Sequence, residues 1–179
     1  MIESCYAFCP LNVIRLLDNL TIMALSTPAT ALLRKLAIAF ELRTYDYDPN
    51  AASVGLQAAQ AIGEPPSRVL KTLIVQVDGK GACIVLPSDR EASMKKVAAA
   101  FGGKSAAMMA VNDAERLSGY KVGGVSPFGQ KKKLRTVVDA AAAGEDYVYV
   151  NGGQRGLQIR LTPADLLKAA EALSRPIVA

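Results

Sequence analysis

The chain has 179 residues, 51% hydrophobic and 21% charged, with a formal net charge of +5. This is ordinary globular composition, long enough for one domain with a sizeable core, and it argues against extended disorder. There is no histidine, which excludes Ser-His-Asp triads, Cys-His pairs, His-ligated zinc and imidazole acid–base chemistry.

Residues 1–26 differ in character from the remainder of the chain. "LNVIRLLDNLTIMAL" is apolar, but Arg15, Asp18 and Asn19 interrupt it, so it is too short and too polar for a membrane span. No basic stretch precedes its apolar part, so it also makes a poor signal peptide. The segment reads as an N-terminal extension outside the fold, with Met23 as an alternative start. Of the three cysteines, Cys5 and Cys9 fall in it, and Cys83 lies in an apolar run as a small core residue. That usage makes no disulfide framework and fits a reducing cytoplasm.

From Ser26 onward, helical and extended segments alternate. Thr27-Pro28 is a helix start, cap then proline at the first helical position, with Leu32, Leu33 and Leu36 on one face. "FELRTYDY" alternates as a strand. Ser53 caps a second helix through Ile62, stopped by Gly63. "RVLKTLIVQV" and "ACIVLP", joined by Asp78-Gly79-Lys80-Gly81, read as a hairpin. "SMKKVAAAFGG" is a helix with a glycine stop and "DAERLSG" a shorter one. "LRTVVDA", "DYVYVN" and "LQIRL" are strands, and Thr162-Pro163 opens a last helix, "ADLLKAAEAL". Helices mixed with hairpins predict an α+β or mixed α/β fold with strands at its centre.

Four stretches carry candidate chemistry. In "VLKTLIV", Lys71 enters an apolar run, sharing a strand face with Val69, Leu73 and Val75, while Thr72 shares the other with Leu70 and Ile74. A desolvated ammonium there either snorkels to water or meets an anionic ligand. "GYKVGGVSPFGQKKK" lacks the P-loop order, because Gln130 separates Gly129 from Lys131 and Lys132 stands where a hydroxyl is needed. It also lacks the Gly-x-Ser-x-Gly elbow, so Ser126 with Pro127 reads as a turn former. Gly123-Gly124 either completes the turn or brings bare backbone donors to a substrate. Lys131, Lys132, Lys133 and Arg135 are a solvated face or a phosphate-facing edge. "YVNGGQRGLQI" places Asn151, Gly152 and Arg155 in a hairpin turn or a pocket wall, and Tyr45 ends a strand that could reach the same pocket.

These stretches, together with "TPATALLRKLAIAFELRTYDYDP" and "SMKKVAAAFGGK", come in the same order as in the YbaK/EbsC family, relatives of the prolyl-tRNA synthetase editing domain. The chain resembles that family from about Thr27 to the final helix, which makes residues 27–179 the editing domain. The resemblance implies a mixed β-barrel-like sheet flanked by helices, and trans-editing hydrolysis of mischarged aminoacyl-tRNA, above all Cys-tRNA(Pro), without metal or cofactor. It places the essential lysine on Lys71 with Thr72 beside it, the strand-end tyrosine on Tyr45 and the pocket glycine on Gly123. Gly124, Ser126, Asn151, Gly152 and Arg155 complete the substrate side, and Lys131, Lys132, Lys133 and Arg135 the tRNA side. Asn151 stands where the family has serine and Gln158 where it has aspartate, which opens specificity to Ala, Ser or another small aminoacyl group. The implied partners are the acceptor end of aminoacyl-tRNA and prolyl-tRNA synthetase, with no membrane. A non-catalytic tRNA-binding module is the reading from another class.

Overall fold

The structure is a computed structural model that describes residues 26–51 and 53–179. The expected N-terminal extension, with Cys5 and Cys9, lies outside the described residues except for Ser26.

Helix α1 (Pro28–Lys35) begins where Thr27 accepts from Thr30 N–H, and the Thr30 side chain caps Thr27 in return. Thr27 Oγ1 also donates to the Gly152 carbonyl at 2.6 Å, so the helix start is tied to the distant "NGG" turn. Leu33 is fully buried, but Leu36, expected on the same face, is 39% exposed. The helix has ended by then, and Ala37 turns the chain at φ +53°.

Strand β1 (Glu41–Thr44) is shorter than its alternating sequence, since it has partners only along β7 (Leu157–Leu161). Helix α2 (Val54–Ile62) has its Ser53 cap and left-handed Gly63 as expected. Strands β2 (Leu70–Val77) and β3 (Lys80–Pro87) form the predicted hairpin, with Lys80 and Gly81 already inside β3. Asp78 and Gly79 alone make the turn, at φ +47° and +77°, the left-handed pair that matches strand twist.

Helix α3 (Met94–Ala100) and helix α4 (Val111–Ser118) flank β4 (Ala106–Met108). Strands β5 (Arg135–Asp139) and β6 (Val148–Asn151), then β7, precede helix α5 (Pro163–Ala170). That helix stops before the expected "EAL" because Glu171 is left-handed, and the chain re-enters a sheet as β8 (Leu173–Arg175).

The fold is α+β, with two sheets. One runs β1-β7-β6 and the other β4-β2-β3-β5-β8. β3, β5 and β8 are mutually parallel neighbours, and the other pairings are antiparallel. The expected barrel-like sheet does not close among the described residues; a lone bridge between Val69 and Tyr149 joins the sheets. Between them lies the larger core, which includes Leu33, Leu70, Ile74, Cys83, Val85, Phe128 and Ile159. Burial pushes the Cys83 thiol up to about 11, as suits an inert core residue. Val75, Ile84, Val97 and Ile177 form a second core under α3. Among the described residues no helix is long and apolar enough to cross a membrane.

Asp139 is 1% exposed and holds the C-terminal segment. Its carboxylate accepts from Ala141 N–H (2.9 Å), Ile177 N–H (2.8 Å) and Val178 N–H (3.1 Å). Asp139→Ala leaves these donors without their acceptor and is expected to cost about 3 kcal/mol, measured as a lower urea midpoint at unchanged slope.

Candidate active site

β4 pairs with β2 only along Val75–Val77, so among the described residues no strand pairs with the outer edge of β2 from Leu70 to Ile74. Met109 N–H donates to the Ile74 carbonyl at 3.2 Å, which shows that even-numbered residues of β2 direct their backbone outward on that side. By the alternation of an antiparallel strand, the Thr72 N–H and carbonyl face the same way. A cavity of about 300 Å³ runs along this edge. Both Lys71 and Thr72 line it, together with Met108 and Met109 at the end of β4, and with Gly123, Asn151 and Gln158.

Among the described residues that line the cavity, Lys71 is the only ionisable side chain. Its Nζ donates to the Ser88 carbonyl at 3.3 Å. Burial lowers its pKa from the ordinary lysine value, and the Glu91 and Asp89 carboxylates oppose the shift. Sequence reasoning passed over Ser88, although the hairpin register carried the signal. Counting from the Asp78-Gly79 turn puts Leu86 opposite Lys71 and Pro87 opposite Leu70, so Ser88 continues the strand beside the lysine. Ser88 Oγ in turn donates to the Val69 carbonyl.

The glycine loop forms the facing wall. Gly123 has φ +88°, and a Cβ there would lie 2.9 Å from the Tyr47 hydroxyl. Each neighbour is tethered. Glu115 accepts from Val122 N–H at 3.0 Å, Arg155 Nε donates to the Val122 carbonyl at 3.0 Å, and Asn151 Nδ2 donates to the Gly123 carbonyl at 3.1 Å. Asn151 Oδ1 accepts from Gly153 N–H at 2.8 Å. The Asn151 amide thus borders the cavity while its hydrogen bonds fix the loop.

Several expected site residues are not brought to the cavity. Gly124 N–H donates to the Lys121 carbonyl at 2.8 Å, so it belongs to the turn and is no free donor for a substrate. Ser126 is 0% exposed, with Oγ accepting from Phe128 N–H at 3.3 Å; it forms the turn. Gly152 N–H bonds the Leu157 carbonyl and its own carbonyl takes Thr27. Arg155 lies over the Tyr47 ring at 5.3 Å and supports the loop from outside. Tyr45 comes directly after β1, its N–H on the Gly156 carbonyl. Its hydroxyl sits beside the Gln158 amide without a formed hydrogen bond, and burial pushes the phenol pKa up.

The basic run divides. Lys132, Lys133 and Arg135, with Lys80 and Arg116, border a separate groove of about 880 Å³ that shares Met108 and Met109 with the cavity. Lys131 is outside it. Lys133 Nζ meets the Glu171 carboxylate, and Arg135 stacks on Phe101 at 5.3 Å.

The family model described as an aminoacyl-tRNA editing domain matches residues 48–169. The chain belongs to that family. EbsC of Enterococcus faecalis, named for Cys-tRNA(Pro)/Cys-tRNA(Cys) deacylase activity, is 36% identical over 110 residues, covering 61% of this chain and 67% of EbsC. ProXp-y of Escherichia coli K12, a multifunctional Ser/Thr-tRNA deacylase, is 27% identical over 106 residues, covering 56% of this chain and 64% of ProXp-y. The chain therefore spans about two thirds of the length of these relatives. A crystal structure described as a trans-editing enzyme for prolyl tRNA synthetase superposes with a TM-score of 0.75 at 21% identity, covering 87% of this chain and 99% of that one. The editing-domain fold thus extends beyond the segment that sequence matching reaches.

In this editing domain Asn151→Ala removes the acceptor of Gly153 N–H and the donor to Gly123. The expected cost is about 1–3 kcal/mol, with faster amide exchange at residues 122–125 as the reading that locates it.

Proposed function

We propose that this chain hydrolyses the ester bond of mischarged aminoacyl-tRNA in trans, with Cys-tRNA(Pro) as the leading substrate. The observation that carries the reading is the cavity's ionisable content: among the described residues that line it, Lys71 and nothing else. Such a pocket holds an ester and its phosphate without supplying a carboxylate or imidazole base. The relatives named for Cys-tRNA and Ser/Thr-tRNA deacylation support the reaction class.

With a cysteinyl ester the substrate supplies the nucleophile. Its thiolate sulfur bonds to the acyl carbon, the acyl C–O bond to the ribose breaks, and the ribose oxygen takes up a proton. Water then opens the resulting thiolactone to free cysteine. Intramolecular attack gains its rate from placement, which is what fixed walls provide. Lys71 faces the terminal ribose and its phosphate, and Gly123 bounds the acyl group. Cysteine fits a proline site well enough to be mischarged, and small apolar differences discriminate poorly, so a second hydrolytic sieve is needed. An alanyl or seryl ester lacks the thiol and requires an activated water.

Lys132, Lys133 and Arg135 steer the acceptor end toward the cavity past Met108 and Met109, a salt-dependent contribution. Transfer-RNA identity comes from the acceptor stem or from prolyl-tRNA synthetase as a partner, in the cytoplasm.

The test is deacylation of Cys-, Ala- and Ser-tRNA(Pro) by the wild type and by Lys71→Ala. The expected result is preferential loss of Cys, with kcat/KM falling about 10²–10³-fold in the variant. Loss of Ala or Ser alone moves the substrate and keeps the class. Binding without hydrolysis of any of the three sinks the deacylase reading in favour of the binding module. Lys132→Glu is expected to raise KM severalfold at low salt with kcat nearly unchanged, the gap closing as salt rises.

A further inference from the structure

Apolar side chains stand in solvent around the mouth of the cavity. Met108 is 51% exposed, Val111 56% and Val122 43%, and all three line the cavity. Among the described residues, the other large hydrophobic side chains exposed to this degree, Leu36, Leu56 and Leu173, do not line it. The three come from separate segments: Met108 ends β4, Val111 opens α4, and Val122 precedes Gly123 in the glycine loop. Val122 is held in place, because Glu115 takes its N–H and Arg155 its carbonyl. A single exposed apolar residue needs no explanation, but a cluster that rims a pocket marks a surface that a ligand covers.

Charge beside the rim selects the ligand. Met108 also borders the basic groove, where Lys80, Arg116, Lys132, Lys133 and Arg135 stand against Asp113. The occupant therefore has to be polyanionic along the groove and apolar where it reaches the mouth. The end of a nucleic acid strand meets both conditions, since its phosphates suit the groove and its bases have apolar faces. Covalent geometry fixes which base. An aminoacyl ester hangs from the 2′ or 3′ oxygen of the last ribose, and the last base hangs from C1′ of the same ring. With the ester beside Lys71, that base is left at the mouth.

We infer that Met108, Val111 and Val122 form a platform that takes the face of the terminal nucleobase. This inference rests on the deacylase reading and adds a second handle by which the ester is placed. The two valines carry no side-chain donor or acceptor, and the Met108 thioether is only a weak acceptor. The platform therefore reads the presence of a base and not its identity, because every base has a face. The thioether suits this role, being polarisable and favourable against an aromatic ring. Acyl esters of sugars or polyols, which lack a base, are spared.

The test uses cysteinyl esters of a short acceptor strand whose last residue is adenosine, guanosine, cytidine, or a ribose carrying hydrogen in place of the base. For the wild type, removing the base is expected to lower kcat/KM tenfold or more, while exchanging one base for another changes it by less than about threefold. In Met108→Ser with Val122→Ser, the ratio of the adenosine to the baseless ester falls to within about twofold. That ratio is taken within one protein, so it does not depend on how much of the variant is folded. Met108→Leu keeps it above about fivefold. A wild type indifferent to the missing base overturns the inference and leaves the deacylase reading standing. A ratio that survives in the serine variant also overturns it and leaves the rim to a protein partner. A preference of more than tenfold for one base does the same, since it requires contacts to base edges that this rim lacks. If the wild type cleaves none of the esters, nor their alanyl and seryl counterparts, the deacylase reading falls and takes this inference with it.

Discussion

Incomplete pairing of β2 is the constraint on which the rest of the molecule depends. Its inner edge is zipped to β3 along all eight residues, but β4 covers only Val75–Val77 on the outside. A strand edge presents backbone donors and acceptors that need partners. Here the second sheet approaches that edge and is bridged to the chain just before it at Val69–Tyr149. The cavity lies between that edge and the second sheet. Its walls accordingly come from both sheets, with Lys71 and Thr72 on one side and Asn151 and Gln158 on the other. Closing the sheets into one barrel would remove the gap and the pocket with it.

A gap between two sheets needs a wall that does not drift, and the "KVGGV" segment is tethered at successive residues. Lys121 Nζ pairs with Glu115 at 2.7 Å, and the same carboxylate takes Val122 N–H. The Lys121 side chain, with that N–H, holds the Glu115 carboxyl below its ordinary pKa. Arg155 and Asn151, from the β6–β7 turn, take the Val122 and Gly123 carbonyls. The other end of that turn is fixed by α1 through Thr27 and Gly152. Segments far apart in sequence therefore position one glycine, and the left-handed φ of Gly123 is what lets the backbone stand against Tyr47 without a side chain between them.

What could be read from the sequence was whatever local chemistry decides. The Thr27-Pro28 and Thr162-Pro163 starts, the Ser53 cap and the Asp78-Gly79 turn depend on residues within a few positions of one another, and they appear where expected. β4 and β8 are three residues each, with no alternation to reveal them; they exist because β2 and β5 offer edges. The candidate site was legible in part for the same reason. Lys71 and Thr72 were visible as polar residues in an apolar strand, and Gly123 as a glycine beside another glycine. Which of Gly123 and Gly124 faces the cavity depends on the Lys121 carbonyl, which takes one N–H of the pair. Ser126 and Arg155 carry suitable functional groups, but packing turns both toward the scaffold. Gln158 stood out only as a departure from a family pattern; that its amide comes to lie beside the Tyr45 hydroxyl and the cavity is a tertiary fact.

The chemistry of the cavity also explains why the absence of histidine is tolerable. Hydrolysing an activated ester requires a nucleophile and a place for developing charge, and neither has to be a titrating protein group. Backbone and a single ammonium can stabilise charge in a water-poor pocket, while the nucleophile can belong to the substrate. Lys71 is suited to that division because, among the described residues, it bonds a neutral carbonyl, Ser88, and no carboxylate, so an incoming anion has no ion pair there to displace. The Asp89 and Glu91 carboxylates act on it only as the lesser, opposing influence. A pocket built this way ties rate to substrate identity, because the atoms that are recognised include the atoms that react. On the proposed reading, selectivity for a small thiol-bearing ester and catalysis without a protein base are two consequences of the same small set of side chains.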